Sequence, residues 1–68
     1  MALITIEGPQ IGSPEIRKHL MKRITEAAAR NWGISEEDVV VLIKEQGGAH
    51  MRDSSQSLSR GGRILTER

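Results

Sequence analysis

The sequence predicts an α/β (α+β) fold: a single β-α-β unit with parallel strands, followed by a C-terminal hairpin or short strand. Three observations carry this. Residues Ser13 to Gly33 hold the full punctuation of a helix. Two β-branched apolar runs, Ala2 to Ile6 and Val39 to Ile43, flank that helix, and a parallel pair needs such a crossover. Beyond Lys44 the chain turns polar and glycine-rich until a last apolar run, Ile64-Leu65-Thr66. One domain, residues 1–68, is expected.

In the first strand, Ala2, Ile4 and Ile6 should share one face and Leu3 and Thr5 the other. Gly8-Pro9-Gln10-Ile11-Gly12 reads as a loop that ends it. Ser13 is a good N-cap, Pro14 suits the first helical position, and Glu15 lies by the positive end of the helix dipole. Ile16, Leu20, Ile24, Ala27 and Ala28 recur at helical spacing, with Met21 and Trp32 beside them. Lys18, His19, Lys22, Glu26 and Arg30 fall opposite, and Gly33 supplies the left-handed stop. In the connector Ile34 to Asp38, Ser35 and Asp38 have the spacing of a capping box for a single turn.

Val39-Val40-Val41-Leu42-Ile43 is apolar at every position, the pattern of a strand buried on both faces. The helix covers one face only. Gln46 to Gly62 is poor covering material, since only Ala49, Met51 and Leu58 there are apolar. A core in a chain below about 70–80 residues rarely supplies more than about 3–5 kcal/mol, and small scaffolds compensate with disulfides, a metal or association. The 68-residue chain has no cysteine, and His19 and His50 show no ligand spacing. Association with another subunit is therefore expected, with the glycine-rich arm reaching across to a neighbour.

Composition excludes several partners. A net charge of +1 and a single tryptophan, with no Phe or Tyr, argue against nucleic acid. No apolar run approaches the roughly 20 residues of a membrane helix, and no signal peptide is seen, so a cytoplasmic protein is expected. No metal or cofactor is implied.

Several polar residues invite a functional reading. Arg17 falls inside the apolar arc of the helix, so it either faces a substrate or snorkels with its stem on the core, and the second is expected. His50, Arg52 and Asp53 cluster in a glycine-flanked segment, as a base, a carboxylate anchor and an acid, or as solvated turn residues and an intersubunit ion pair. Arg60, Arg63 and Arg68 suit an anionic ligand or an acidic loop such as Glu36-Glu37-Asp38. Lys44 and Glu45 read as solvated or subunit-bridging ends of the second strand, and Gly47-Gly48 and Gly61-Gly62 as tight turns.

Ala2 to Gly8, Ser13-Pro14-Glu15 with Arg17-Lys18 and Leu20, and Asp38 to Glu45 together resemble the 4-oxalocrotonate tautomerase family. The resemblance implies a dimer-based hexamer, made of one chain type or of two related ones, and a small carboxylate as ligand. In that family an N-terminal proline, exposed by loss of Met, acts as general base or acid, and arginines hold the substrate carboxylates. Here Ala2 stands at the proline's position, Gly12 and Val40 at the two arginines, and Met51 at the pocket aromatic. Asp53 falls where one kind of dehalogenase chain carries its water-activating acid.

The catalytic candidates are thus Ala2, through a primary α-amine of ordinary pKa about 7.7–8.0, and Asp53. Ala2 as a plain first strand residue is the alternative. His50 and Arg52 are the substrate-binding candidates. The activity implied is a weak or altered isomerase or hydratase reaction on small unsaturated or 2-keto carboxylic acids. The alternative is a non-catalytic structural subunit of a homo- or hetero-oligomer.

Overall fold

The computed structural model describes residues 1–46 and 55–67. Strand β1 (Ala2–Pro9) leads into helix α1 (Pro14–Trp32), a single 3₁₀ turn at Glu36–Asp38, and strand β2 (Val39–Gln46). Strands β3 (Ser55–Arg60) and β4 (Arg63–Glu67) complete a four-stranded sheet in the order β1-β2-β3-β4. β1 and β2 are parallel, as the crossover requires, and β2-β3 and β3-β4 are antiparallel.

The helix is bounded as its sequence dictates. Ser13 Oγ accepts from Glu15 N–H, and Gly33 adopts the left-handed conformation (φ 67°) that closes the last turn on Ala29 O. Its buried stripe is Met21, Thr25 and Ala29, flanked by half-buried Leu20, Ile24 and Ala28. The expected stripe lies about one residue off this one: Ile16, Ala27 and Trp32 are exposed. Thr25 tolerates full burial because its hydroxyl donates to Met21 O (2.7 Å), so no polar group is left unpaired. Opposite the stripe, Val39, Val41 and Ile43 form the floor of the core, joined by Ile4, Ile6 and Ile64.

Strand β1 outruns its expected length. β1 continues through Gly8 and Pro9, where a loop was expected, because β1 is an edge strand bonded only to β2 and a proline at an edge breaks no ladder. β2 runs through Lys44 and Glu45, the residues expected to end it, and stops one residue later at Gln46. Its alternation is clear: Val39, Val41, Ile43 and Glu45 are buried under the helix, and Val40, Leu42 and Lys44 are half-buried on the other face.

The glycine-rich arm forms the C-terminal hairpin that the sequence predicts. It folds back as the β3-β4 hairpin and pairs with β2 of its own chain. Ser57 and Ser59 point to the helix side, where small side chains are buried, while Leu58 lies on the far face with Leu42. That far face carries Leu3 (66% exposed), Val40, Leu42 and Leu58, and none of the described residues forms a layer above it. It is the sheet face whose cover the all-apolar β2 run demands.

Candidate functional site at the amino end of the sheet

Parallel pairing sets the starts of β1 and β2 side by side, so Ala2 partners Val39 and Leu3 partners Val40. Ala2 is half-buried, facing the helix side with Ile4 and Ile6, and Met1 ahead of it is exposed. The next strand continues the row: Val40 partners Arg60, and Arg60 partners Arg63 across the hairpin. One transverse line of the sheet thus reads Leu3, Val40, Arg60, Arg63.

The turn before β2 seals this end. Ser35 caps it by accepting from Glu37 N–H, and Glu37 then meets the hairpin. Arg60 Nε donates to the Glu37 carbonyl oxygen (3.0 Å), and Arg63 Nη2 donates to both Glu37 carboxylate oxygens (3.0 and 2.8 Å). Gly61 N–H donates to Val39 O (3.1 Å), fixing the turn to the start of β2. Gly61 and Gly62 hold positive φ (63° and 84°), and a Cβ on Gly61 would lie 2.9 Å from Glu37 Oε1. The arginine-to-acidic-turn pairing expected from sequence is present, within one chain. A cleft of about 510 Å³ at this end lies on the helix side, between Glu26, Ala29 and Arg30 of α1 and Ile34, Ser35 and Glu36.

At the opposite end sits the most buried ion pair among the described residues. Glu45, 1% exposed, accepts from Arg17 Nε at one oxygen and from Arg17 Nη2 (3.1 Å) and Ile11 N–H (2.9 Å) at the other. The Arg17 guanidinium, and then the Ile11 amide, hold its carboxyl below the usual carboxylate range against the opposing effect of burial. This corrects two expectations. Arg17 does not snorkel to water, because the stripe it begins (Arg17, Met21, Thr25) faces the sheet and Glu45 meets it there. Glu45 is not solvated, being in phase with Val39, Val41 and Ile43 on the buried face. The all-apolar run hides that phase in the sequence, since Val40 and Leu42 are as apolar as their buried neighbours. Beside the pair, a cleft of about 330 Å³ is lined by Ile6, Pro9, Ile11, Leu20 and Ile43, with Glu45 among them.

Of the sequence-derived site residues, Ala2 lies at the amino end of the sheet, and Gly12 and Val40 lie apart from one another. Gly12 is in the β1-α1 loop at the far end, and Val40 is one rung from Ala2. His50, Met51, Arg52, Asp53 and the Gly47-Gly48 pair fall outside the described residues, as does Arg68. Among the described residues, no three His, Cys, Asp or Glu side chains gather as metal ligands, and no helix is long and apolar enough to cross a membrane.

No curated protein and no solved structure matches the chain. A family model described as "Tautomerase enzyme" matches residues 3–51, from β1 through α1 and β2 into the segment beyond. That span is well over half of the 68 residues and takes in the parallel β-α-β unit from Leu3 onward, so the chain belongs to the tautomerase family.

Proposed function

We propose that this is a short-chain tautomerase-superfamily protein of the 4-oxalocrotonate tautomerase type that works without an N-terminal proline. Its chemistry is a weak or altered isomerase or hydratase reaction on small unsaturated or 2-keto carboxylic acids. The observation that carries the reading is the position of Ala2. It is the first residue of β1, half-buried against Val39, at the place where the resemblance puts the catalytic amine. Once Met1 is removed, the Ala2 α-amine is a primary amine that can serve as a base, of the ordinary kind with pKa about 7.7–8.0. Asp53, His50 and Arg52 are the residues proposed to join it, as acid and carboxylate holders.

The uncovered sheet face supports assembly as part of the same reading. Leu3, Val40, Leu42 and Leu58 lie on one face of the sheet, and a second copy or a related chain covers them in the proposed hexamer.

A second reading, a non-catalytic structural subunit of a hetero-oligomer, is favoured by Val40. This apolar residue stands where the resemblance calls for an arginine. One assay separates the two. The chain, with its N-terminal residue verified by mass spectrometry, is offered phenylenolpyruvate and 2-hydroxymuconate. Ketonisation above buffer background that disappears when the terminal amine is carbamylated supports the enzyme. Silence of the pure chain, with turnover only after mixing with a proline-bearing chain, supports the subunit.

A further inference from the structure

We propose that the cleft of about 330 Å³ at the carboxyl ends of β1 and β2 binds a small neutral ring, a phenyl or cyclohexyl group with at most an uncharged substituent. The inference goes beyond the functional reading above and does not rest on it. A volume near the lower end of the range for small-molecule sites suits one ring and little more. The crevice beyond the carboxyl ends of parallel strands is also where open α/β sheets generally take their ligands.

The apolar lining comes from separate pieces of chain, each held in place. Ile6 and Ile43 are register partners on β1 and β2. Leu20 belongs to α1 and packs against the core. Ile11 is pinned through its own N–H, which donates to the buried Glu45 (2.9 Å). The ring of Pro9 fixes its own φ. A lining already ordered in this way loses little freedom when a ligand enters.

Gly8 keeps the cleft open. It lies on the helix side of β1, in phase with Ala2, Ile4 and Ile6, each of which carries a side chain there. Its φ is not positive, and a Cβ added to it would meet nothing within 4 Å. Register with β2 runs on without a bulge, through Gly8 to Glu45 and Pro9 to Gln46. Glycine weakens a strand interior, and it marks a bulge, a bend or a place where a ligand or another backbone comes close. No bulge, positive φ or crowding calls for it at this position. What the missing side chain leaves is room in the cleft.

The charges around the cleft fix the class of ligand. Lys44 Nζ lies 3.7 Å from Glu7 Oε1, and Arg17 is bonded to Glu45, so both cations already face acids. An anion entering here would meet Glu7 and Glu45. A cation would have to compete with Arg17 for a carboxylate whose side chain is 1% exposed. Burying either charge without a partner is costly, and an uncharged ring avoids that cost.

The test uses benzyl alcohol, titrated into the full chain with its Ile and Leu methyl groups labelled for NMR. The methyl signals of Ile6, Ile11, Leu20 and Ile43 should move on one binding curve, while those of the exposed Ile16 and Leu65 stay in place. Benzoate, the same ring bearing a charge, should bind at least about fivefold more weakly. Gly8→Leu fills the space and should weaken benzyl alcohol binding at least about tenfold. Gly12→Leu adds the same bulk in open space outside the lining and should leave binding within about twofold of wild type. Gly8→Ala is the smaller step, with a smaller loss expected, and serves if Gly8→Leu disturbs β1. Backbone amide spectra check that each variant is folded. No methyl shift with benzyl alcohol, equal affinity for benzoate, or undiminished binding in the folded Gly8 variant overturns the proposal. Isotope-filtered contacts from these methyl groups to a second copy of the chain would give the cleft to another protomer, and would overturn it as well.

Discussion

Arg17, on the first turn and a half of α1, and Glu45, near the end of β2, meet through two charge-assisted hydrogen bonds with their side chains 15% and 1% exposed. A third bond, from Ile11 N–H to Glu45, ties the β1-α1 loop into the same joint. Helix, loop and sheet are thus fastened at one carboxylate.

Removing that carboxylate should be expensive, because it strands a guanidinium in a largely dry setting. Glu45→Gln is expected to cost about 3 kcal/mol, read as the loss in unfolding free energy by urea titration. The pH dependence follows from the lowered pKa of Glu45. Unfolded, its carboxyl titrates near 4.3, so the stabilisation is complete above that value and is lost as pH falls through the lower folded one. Wild-type protein should lose stability progressively below about pH 4.3, and Glu45→Gln should show a flatter acid limb. An acid limb of equal slope in both would refute the assignment.

The uncovered sheet face gives a clean separation of folding from assembly. Leu42 lies on that face, whereas Val41 is fully buried under the helix. Leu42→Asp should leave the secondary structure of the single chain intact by circular dichroism and shift sedimentation to the protomer. Val41→Asp should abolish both, since it places an unpaired charge in the core. A Leu42→Asp protein that sediments like wild type would overturn the assignment of this face to assembly.

Gly61 is constrained twice, by φ of 63° and by the Glu37 carboxylate 2.9 Å from where a Cβ would sit. Gly61→Ala should destabilise by at least about 1 kcal/mol and break the Arg63–Glu37 pairing. Gly12→Ala is the matched control, having open space around it and no positive φ. Thermal melts of the two should differ, with Gly12→Ala close to wild type.

Ser59 is fully buried, and its Oγ finds no hydrogen-bond partner among the described residues. Ser59→Ala removes an unsatisfied hydroxyl while keeping the small volume, so it should stabilise by about 0.5–1 kcal/mol. Denaturant midpoints would show it, and a loss of stability would mean that the hydroxyl is bonded in solution.

Local signals made the helix legible. Ser13, Pro14 and Gly33 act within a turn of themselves, and all three sit where the sequence puts them. The parallel pair was legible from its apolar runs, though Pro9 hid the true end of β1 because a proline's meaning depends on which strand is an edge. β3 was illegible for a different reason. Ser57 and Ser59 face the core without being hydrophobic, so no apolar alternation marks the strand.

The candidate site divides the same way. Ala2 is a candidate through family resemblance alone, since nothing in one alanine announces chemistry. The meeting of Glu37 with Arg60 and Arg63 spans 23 and 26 residues and depends on the hairpin register. Sequence offered the charges but not their meeting place.

The eight-rung match of β1 to β2 has a practical corollary. A shift by one rung would turn Ile4 and Ile6 toward water and Leu3 and Thr5 under the helix, so the strand has no freedom to slide. Any affinity tag or leftover protease-site residue placed ahead of Ala2 must therefore protrude beyond the sheet rather than be absorbed by it. Expression vectors for this protein should leave the front of the chain native and carry their fusions at the back.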